Sequence, residues 1–166
     1  AAEDRLLARA DDRAAPAVRS AVVEAVTARE VERNRLSPQQ AAALGSISTS
    51  GRQLDLLVGP AGAGKTTAMR ALHRAWTLQH GKNSVVGLAP SAAAAQVLAD
   101  DLGITCDNTA KWLHEHDRGN AEFKRGQLVI IDEATLASTR TLDRLTDLAA
   151  KAGAKVLLVG DWAQLQ

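Results

Sequence analysis

An apolar run, Leu54, Leu56, Leu57 and Val58, leads into Gly59-Pro60-Ala61-Gly62-Ala63-Gly64-Lys65-Thr66-Thr67, and a helical pattern from about Thr66 to Gln79 follows. No other stretch restricts the fold as tightly. The nine residues complete the pattern G-x-x-x-x-G-K-[ST]. Strand, glycine loop and helix in that order are the context in which this pattern makes a phosphate-binding loop. The glycines let the backbone turn sharply with its N–H groups facing inward. The following helix adds the positive end of its dipole. In such a loop Lys65 reaches the β- and γ-phosphates of a nucleotide, and Thr66 ligates Mg²⁺. The alternative, a glycine-rich turn without a ligand, fits neither the spacing nor the context as well.

At 166 residues the chain is about one domain, large enough for a real core. It is 46% hydrophobic but 2% aromatic, so Ala, Leu and Val must build the interior, which suits helices packed closely on a sheet. Lys and Arg number 20 against 19 Asp and Glu, a net charge of +1. Strong non-specific DNA binding leaves a larger basic excess, so charge names no nucleic-acid partner, although a local groove is compatible with it. The single Cys106 cannot form an internal disulfide and fits a reduced, cytoplasmic setting. No apolar run approaches the roughly 18 residues that span a bilayer, and no signal peptide opens the chain, so no membrane partner is expected. The abrupt start and end are those expected of a fragment.

Along the chain, residues from about Glu3 to Arg35 read as helix. Leu6, Ala10, Ala14, Val18, Val22, Ala25 and Val26 recur at three- and four-residue steps, and Pro16 divides the stretch. Its other faces mix Arg, Asp and Glu, as solvated helices do. Residues 1–35 are therefore expected to form a helical arm or linker ahead of a domain over 36–166. Leu36 to Leu44 is a fresh helix start, with Ser37 as cap, Pro38 at the first helical position and Gln40 at the third. Strands are expected at Leu54–Val58, Ser84–Ala89, Leu128–Ile131 and Lys155–Val159. Helices are expected at Ala92–Leu102, Thr109–Glu115 and Arg140–Lys151, with a charged loop or hairpin tip over Arg118–Gly126. Alternating strands and helices imply an α/β fold, a parallel sheet with helices on both faces. Ligands then collect at the carboxyl ends of the strands.

Leu128-Val129-Ile130-Ile131-Asp132-Glu133 is an apolar strand delivering two adjacent carboxylates. Following a phosphate loop, this is the Walker B pattern. Asp132 would hold Mg²⁺ through its coordination shell, and Glu133 would orient and deprotonate an attacking water. Gln40 has two readings. It completes a capping box with Ser37, or its amide hydrogen-bonds adenine. The local pattern favours the cap, and both roles coexist only if different amide atoms serve them. Gly160-Asp161-Trp162-Ala163-Gln164-Leu165 follows the last strand, where Gln164 is placed to contact a γ-phosphate or, more blandly, to sit in a turn. His114-Glu115-His116 has the wrong spacing for two metal ligands on one helical face. Trp76 and Trp112 read as packing residues, with base stacking a second option for Trp112 beside Lys111.

These pieces in this order resemble the first RecA-like domain of superfamily 1 helicases, especially the RecD-like, 5′-to-3′ branch. Leu36-Ser37-Pro38-Gln39-Gln40-Ala41-Ala42-Ala43 looks like that family's Q motif, which shifts Gln40 toward adenine. Gly59–Thr67 looks like motif I, Ala89-Pro90-Ser91-Ala92-Ala93-Ala94 like motif Ia, and Asp107-Asn108-Thr109-Ala110-Lys111-Trp112-Leu113 like motif Ib. Ile131-Asp132-Glu133-Ala134 matches motif II, and Gly160–Leu165 matches motif III. Motifs Ia and Ib are most similar to the helicase portion of MobF-type conjugative relaxases. Ala93 stands where a basic residue is frequent in the branch. The chain has no Tyr, so the nicking chemistry of those relaxases does not reside here.

The resemblance implies an ATP-binding first motor domain of a DNA helicase, using ATP and Mg²⁺. It implies single-stranded DNA at Pro90, Ser91, Thr109, Lys111 and Trp112. It also implies catalytic roles for Lys65, Glu133 and Gln164. Gln40 and Gly59 to Thr67, with Pro60, Ala61, Gly62, Ala63 and Gly64 between, would hold the nucleotide. Implied partners are a second RecA-like domain in a longer chain and a conjugation machinery. Two other classes fit parts of the pattern, a non-catalytic single-strand-binding module with a helicase fold and a small-molecule P-loop kinase.

Overall fold

The computed structural model describes residues 1–58 and 63–160. Two helices come first, α1 (Ala2–Asp11) and α2 (Ser20–Glu32), then α3 (Pro38–Thr49) and β1 (Leu54–Val58). The alternation continues with α4 (Ala63–His80), β2 (Val85–Ala89), α5 (Ala92–Leu102) and β3 (Thr105–Asn108). It closes with α6 (Thr109–Asp117), β4 (Leu128–Ile131), a 3-10 turn at Ala134–Leu136, α7 (Thr139–Ala152) and β5 (Lys155–Gly160). The five strands form one sheet in the order β1-β5-β4-β2-β3, and every pairing is parallel.

Local chemistry sets the helix ends. Ser37 and Gln40 form a reciprocal capping box at the start of α3, with Pro38 in the first turn. Ser91, Asn108 and Ser138 accept backbone N–H bonds at the starts of α5, α6 and α7. Gly103 and Gly153 stop α5 and α7 in the left-handed conformation, where a side chain would be strained.

The central strands β4 and β5 are buried on both faces, while Leu56 and Val58 of β1 stay exposed. On one side Leu57, Leu128, Ile130, Leu157 and Val159 pack with α2, α3, α4 and α5 residues such as Val26, Leu44, Leu72, Trp76 and Leu98. On the other, Leu54, Leu88, Val129, Ile131, Val156 and Leu158 meet Leu142, Leu145 and Ala149 of α7, with Phe123. Alternate residues of β4 thus enter opposite cores, which is why that strand reads as an unbroken apolar run.

The fold departs from expectation at two places and takes one of two expected forms at a third. The edge strand β3 was not expected, because Thr105-Cys106-Asp107-Asn108 carries no apolar alternation. Its backbone pairing with β2 carries it instead. Arg118–Gly126 forms a loop with no strand pairing. The first helical stretch breaks over residues 12–19 rather than at Pro16 alone. This segment lies against the α3–β1 connection through Val18 N–H to the Ser48 carbonyl, Ala15 N–H to Gly51 and Gln53 N–H to Asp12.

The first 35 residues pack in two ways. α2 buries Val23, Val26, Thr27 and Glu30, and Glu30 receives Arg74 at 2.8 Å and Arg35 at 3.6 Å. α1 buries no residue and lies on α7 through Arg5–Asp143 (2.7 Å) and Arg9–Asp147 (3.2 Å).

At the amino edge of the sheet, Lys155 is fully buried. Its Nζ donates to Asp55 Oδ2 (2.7 Å), the Arg52 carbonyl (2.8 Å) and Ser50 Oγ (3.1 Å). Burial pulls the Lys155 ammonium below its ordinary pKa, and Asp55 opposes that shift. Replacing Asp55 by Ala leaves a buried cation without its counter-charge, at an expected cost of about 3–5 kcal/mol in urea denaturation. A loss below about 1 kcal/mol would show that the pair does not hold β1 to β5.

Candidate functional site

Three elements converge at the carboxyl edge of the sheet. β1 ends at Val58, paired in register with Gly160 of β5, and α4 begins at Ala63. Gly59 to Gly62 fall outside the described residues, as does the segment Asp161–Gln166 with Gln164. Gly64, Lys65, Thr66 and Thr67 lie at the start of α4, where the helix dipole favours an anion.

β4 delivers the acids. The Asp132 N–H donates to the Leu88 carbonyl at 2.9 Å, extending the β2–β4 ladder by one residue. Its Oδ1 accepts the Glu133 N–H at 2.9 Å. Burial pushes the Asp132 carboxyl above its ordinary pKa, while the Glu133 N–H and the Lys65 charge pull it down. The Lys65 charge therefore reaches Asp132 across the edge. Glu133 sits at φ +50°, left-handed for a non-glycine residue, and caps the 3-10 turn with its side chain exposed. The backbone reverses there, so the two acids do different things: Asp132 stays half-buried at the strand end, and Glu133 stands out beyond it.

Asp132 and Thr66 offer hard oxygen donors, the chemistry that Mg²⁺ prefers. Among the described residues no group of three or more His, Cys, Asp or Glu could hold a metal. A site built on one carboxylate and one hydroxyl is the kind Mg²⁺ completes with substrate phosphates and water.

Gln40 reaches this edge as well. The Ser37 N–H donates to its Oε1 at 2.8 Å, and the Gln40 N–H donates to Ser37 Oγ at 3.1 Å. Its Nε2 lies over Gly64, where a methyl group on that residue would overlap it.

The remaining expected residues divide. Pro90 and Ser91 are exposed, and Ser91 Oγ accepts the Ala94 N–H at 3.1 Å. Thr109 is buried, its hydroxyl donating to the Ala89 carbonyl at 3.1 Å, which ties α6 to the end of β2. Lys111 is exposed, with Asp107 at 3.9 Å. Pro90, Thr109, Asp132 and Glu133 line one groove of about 530 Å³. Trp112 faces a different one with Cys106 and Phe123, stacked on Phe123 at 4.1 Å and on His116 at 5.3 Å. His116 Nδ1 meets the Ala121 carbonyl. Cys106 is inert at neutral pH, its thiol pushed up to about 12 by burial and by the nearby Asp132 charge.

The first groove also contains His114, weighed in the sequence only as a metal ligand, and two residues that sequence reasoning did not single out, Asp117 and the exposed Leu136. Leu136 lies in a 3-10 turn too short to carry a period. The Asp117–Arg144 ion pair, which lowers the Asp117 pKa, joins α6 to α7 across 27 residues of sequence.

Fold and site together define a RecA-like domain of helicase type. A family model described as an AAA domain matches residues 35–166, and the chain belongs to that family, in its RecD-like helicase branch. The conjugal transfer protein TraA of Rhizobium radiobacter is 39% identical over 132 residues, covering 80% of this chain and 12% of that protein. TraA of Agrobacterium fabrum is 36% identical over 155 residues, covering 93% of this chain and 14% of that protein. The chain therefore spans a small part of the curated relatives it matches. The UvsW helicase of bacteriophage T4 superposes with a TM-score of 0.58 at 14% identity, covering 78% of this chain and 54% of that one, a likeness of fold.

Thr109→Val keeps the side-chain shape and removes the bond to Ala89. We expect a loss of about 0.5–1.5 kcal/mol in denaturant stability, with Thr109→Ser close to wild type. Equal losses in both variants would assign the cost to packing rather than to the hydroxyl.

Proposed function

We propose that this chain is the ATP-binding first motor domain of a 5′-to-3′ DNA helicase within a conjugative relaxase. One observation carries the proposal: the first turn of α4, with Lys65 and Thr66, shares a sheet edge with the Asp132-Glu133 pair that ends β4. The α4 turn suits the triphosphate, and its lysine offsets the charge that grows on the β- and γ-phosphates. Thr66 and Asp132 would hold Mg²⁺, whose charge would offset the negative charge that develops on the phosphates. Glu133, outside the strand, takes the proton of the attacking water as the γ-phosphoryl group transfers to it, giving ADP and inorganic phosphate. Gln164 would report the γ-phosphate to the DNA face, and Gln40 would meet the base. Single-stranded DNA would run past Pro90, Ser91 and Lys111, with Thr109 holding that rim in place, while Trp112 is engaged by Phe123 and His116 in its own groove. A second RecA-like domain in the longer protein would close the cleft and add an arginine.

In this chain alone, Lys65→Ala should abolish measurable Mg²⁺-dependent ATP binding, and Glu133→Gln should leave it intact. In the full-length protein, Glu133→Gln should lower DNA-stimulated hydrolysis by about 10²–10⁴. The chain by itself should turn over slowly, because a missing arginine is worth about 10³–10⁵ in rate. Robust DNA-stimulated turnover by the isolated chain, or wild-type hydrolysis by the Glu133→Gln protein, would overturn the proposal.

A further inference from the structure

The amino-terminal residues are held to the domain by two kinds of contact, and the change falls at Asp12. From Asp12 onward the chain is stitched to the α3–β1 connection through its backbone. Gln53 N–H donates to the Asp12 carbonyl at 2.7 Å, Ala15 N–H to the Gly51 carbonyl at 2.9 Å and Val18 N–H to the Ser48 carbonyl at 2.8 Å. Ahead of Asp12, α1 buries no residue. Two ion pairs, one helical turn apart on both partners, join it to α7: Arg5 to Asp143 at 2.7 Å and Arg9 to Asp147 at 3.2 Å. Leu6 packs partly buried against the core cluster that contains Leu54, Leu142 and Leu158, and Leu7 beside it is 64% exposed.

α1 also fails to fill the space it covers. A groove of about 890 Å³ opens between it and the sheet, lined by Leu6 and Ala10 on the helix and by Leu54, Leu56 and Leu158 on the strands. The same groove reaches Ala134 and Ala137, at the turn that follows Glu133. A helix of 10 residues is marginal in water without tertiary support. Exposed ion pairs support it weakly and are screened by salt. Neither acid of α7 is stranded when the arm leaves. Asp147 keeps Lys151 at 2.9 Å, and Asp143, whose side chain is 13% exposed with α1 in place, returns to water.

We propose that α1 is an electrostatic strap: it stays docked while Arg5 and Arg9 hold Asp143 and Asp147, and it releases at Asp12 as one unit when those charges are screened, baring the apolar front of β1. The backbone bonds from Asp12 onward fix the pivot, so release stops there and leaves α2 in place. Once free, α1 loses its helix, because nothing else sustains so short a segment. Leu54 then joins Leu56 and Val58 at the surface, on the face that leads to the turn after Glu133. The movement needs no nucleotide, so it stands or falls separately from the function proposed above.

The test is hydrogen exchange of this chain, read by mass spectrometry at one pH in about 0.05 M and about 0.5 M NaCl, where screening lengths differ about threefold. In wild type the α1 amides should exchange about three- to thirtyfold faster at high salt, the scale of two exposed ion pairs, while α2 and the strands keep their protection. Asp143→Asn with Asp147→Asn should exchange fast at both salt concentrations. Arg5→Gln with Arg9→Gln, which leaves α7 untouched and keeps good helix formers in α1, should do the same. Protection of α1 that ignores both salt and the paired substitutions would overturn the inference, since apolar contact would then hold the arm. Exchange of wild-type α1 at the rate of an unstructured peptide in low salt would overturn it as well. So would a loss of protection that spreads into α2 or β1, because the arm would not be moving alone.

Discussion

Burial of β4 on both faces is the constraint on which the carboxyl edge depends. Val129 and Ile131 enter one core and Leu128 and Ile130 the other, and β4 is flanked in parallel by β2 and β5. A slip of one residue would turn every side chain to the wrong face, so the register is strongly specified. The pairing Leu88 with Ile131, and Ile131 with Leu158, then fixes where the apolar run must end. Asp132 is the first residue past that limit, held by one further ladder bond to Leu88. Its height at the edge is a consequence of packing far beneath it.

The same sheet is tied at its opposite edge by polar contacts. Lys155 joins the start of β5 to β1 and to the end of α3 through Asp55, Arg52 and Ser50. Glu30 gathers Arg74 of α4 and Arg35 onto α2. β1 ends at Val58, just before the glycine-rich motif, and α3 carries Gln40. Contacts remote from the nucleotide edge thus set the relative positions of the elements that reach it. α1 is a different case, because exposed ion pairs add at most about 1 kcal/mol each.

The sequence was most legible where one residue type had one physical use. The apolar run of β4, a strand before and a helix after the glycine-rich motif, and Ser37 as helix cap all pointed to what the described residues contain. β3 was opaque because its stability is a backbone pairing with β2, and Thr105-Cys106-Asp107-Asn108 records none of it. Lys155 was read only as the first residue of a strand. Its counter-charge, Asp55, lies 100 residues away, beyond any local pattern. Gln40 was left between a cap and a base contact, and the structure shows why local reasoning could not choose: the cap engages one end of the amide and the other end lies over Gly64. Of the motif Ib residues, Thr109 and Lys111 look alike as candidates on paper. Folding buries the first against Ala89 and leaves the second exposed.

The central claim is that the first turn of α4 and the end of β4 serve one bound nucleotide. The most direct measurement is a crystal structure of this chain with a non-hydrolysable ATP analogue and Mn²⁺ as an anomalous marker. The account predicts the triphosphate at Gly64–Thr67 and the metal peak between Thr66 and Asp132. An analogue bound elsewhere, or a metal peak that leaves Asp132 untouched, would contradict it.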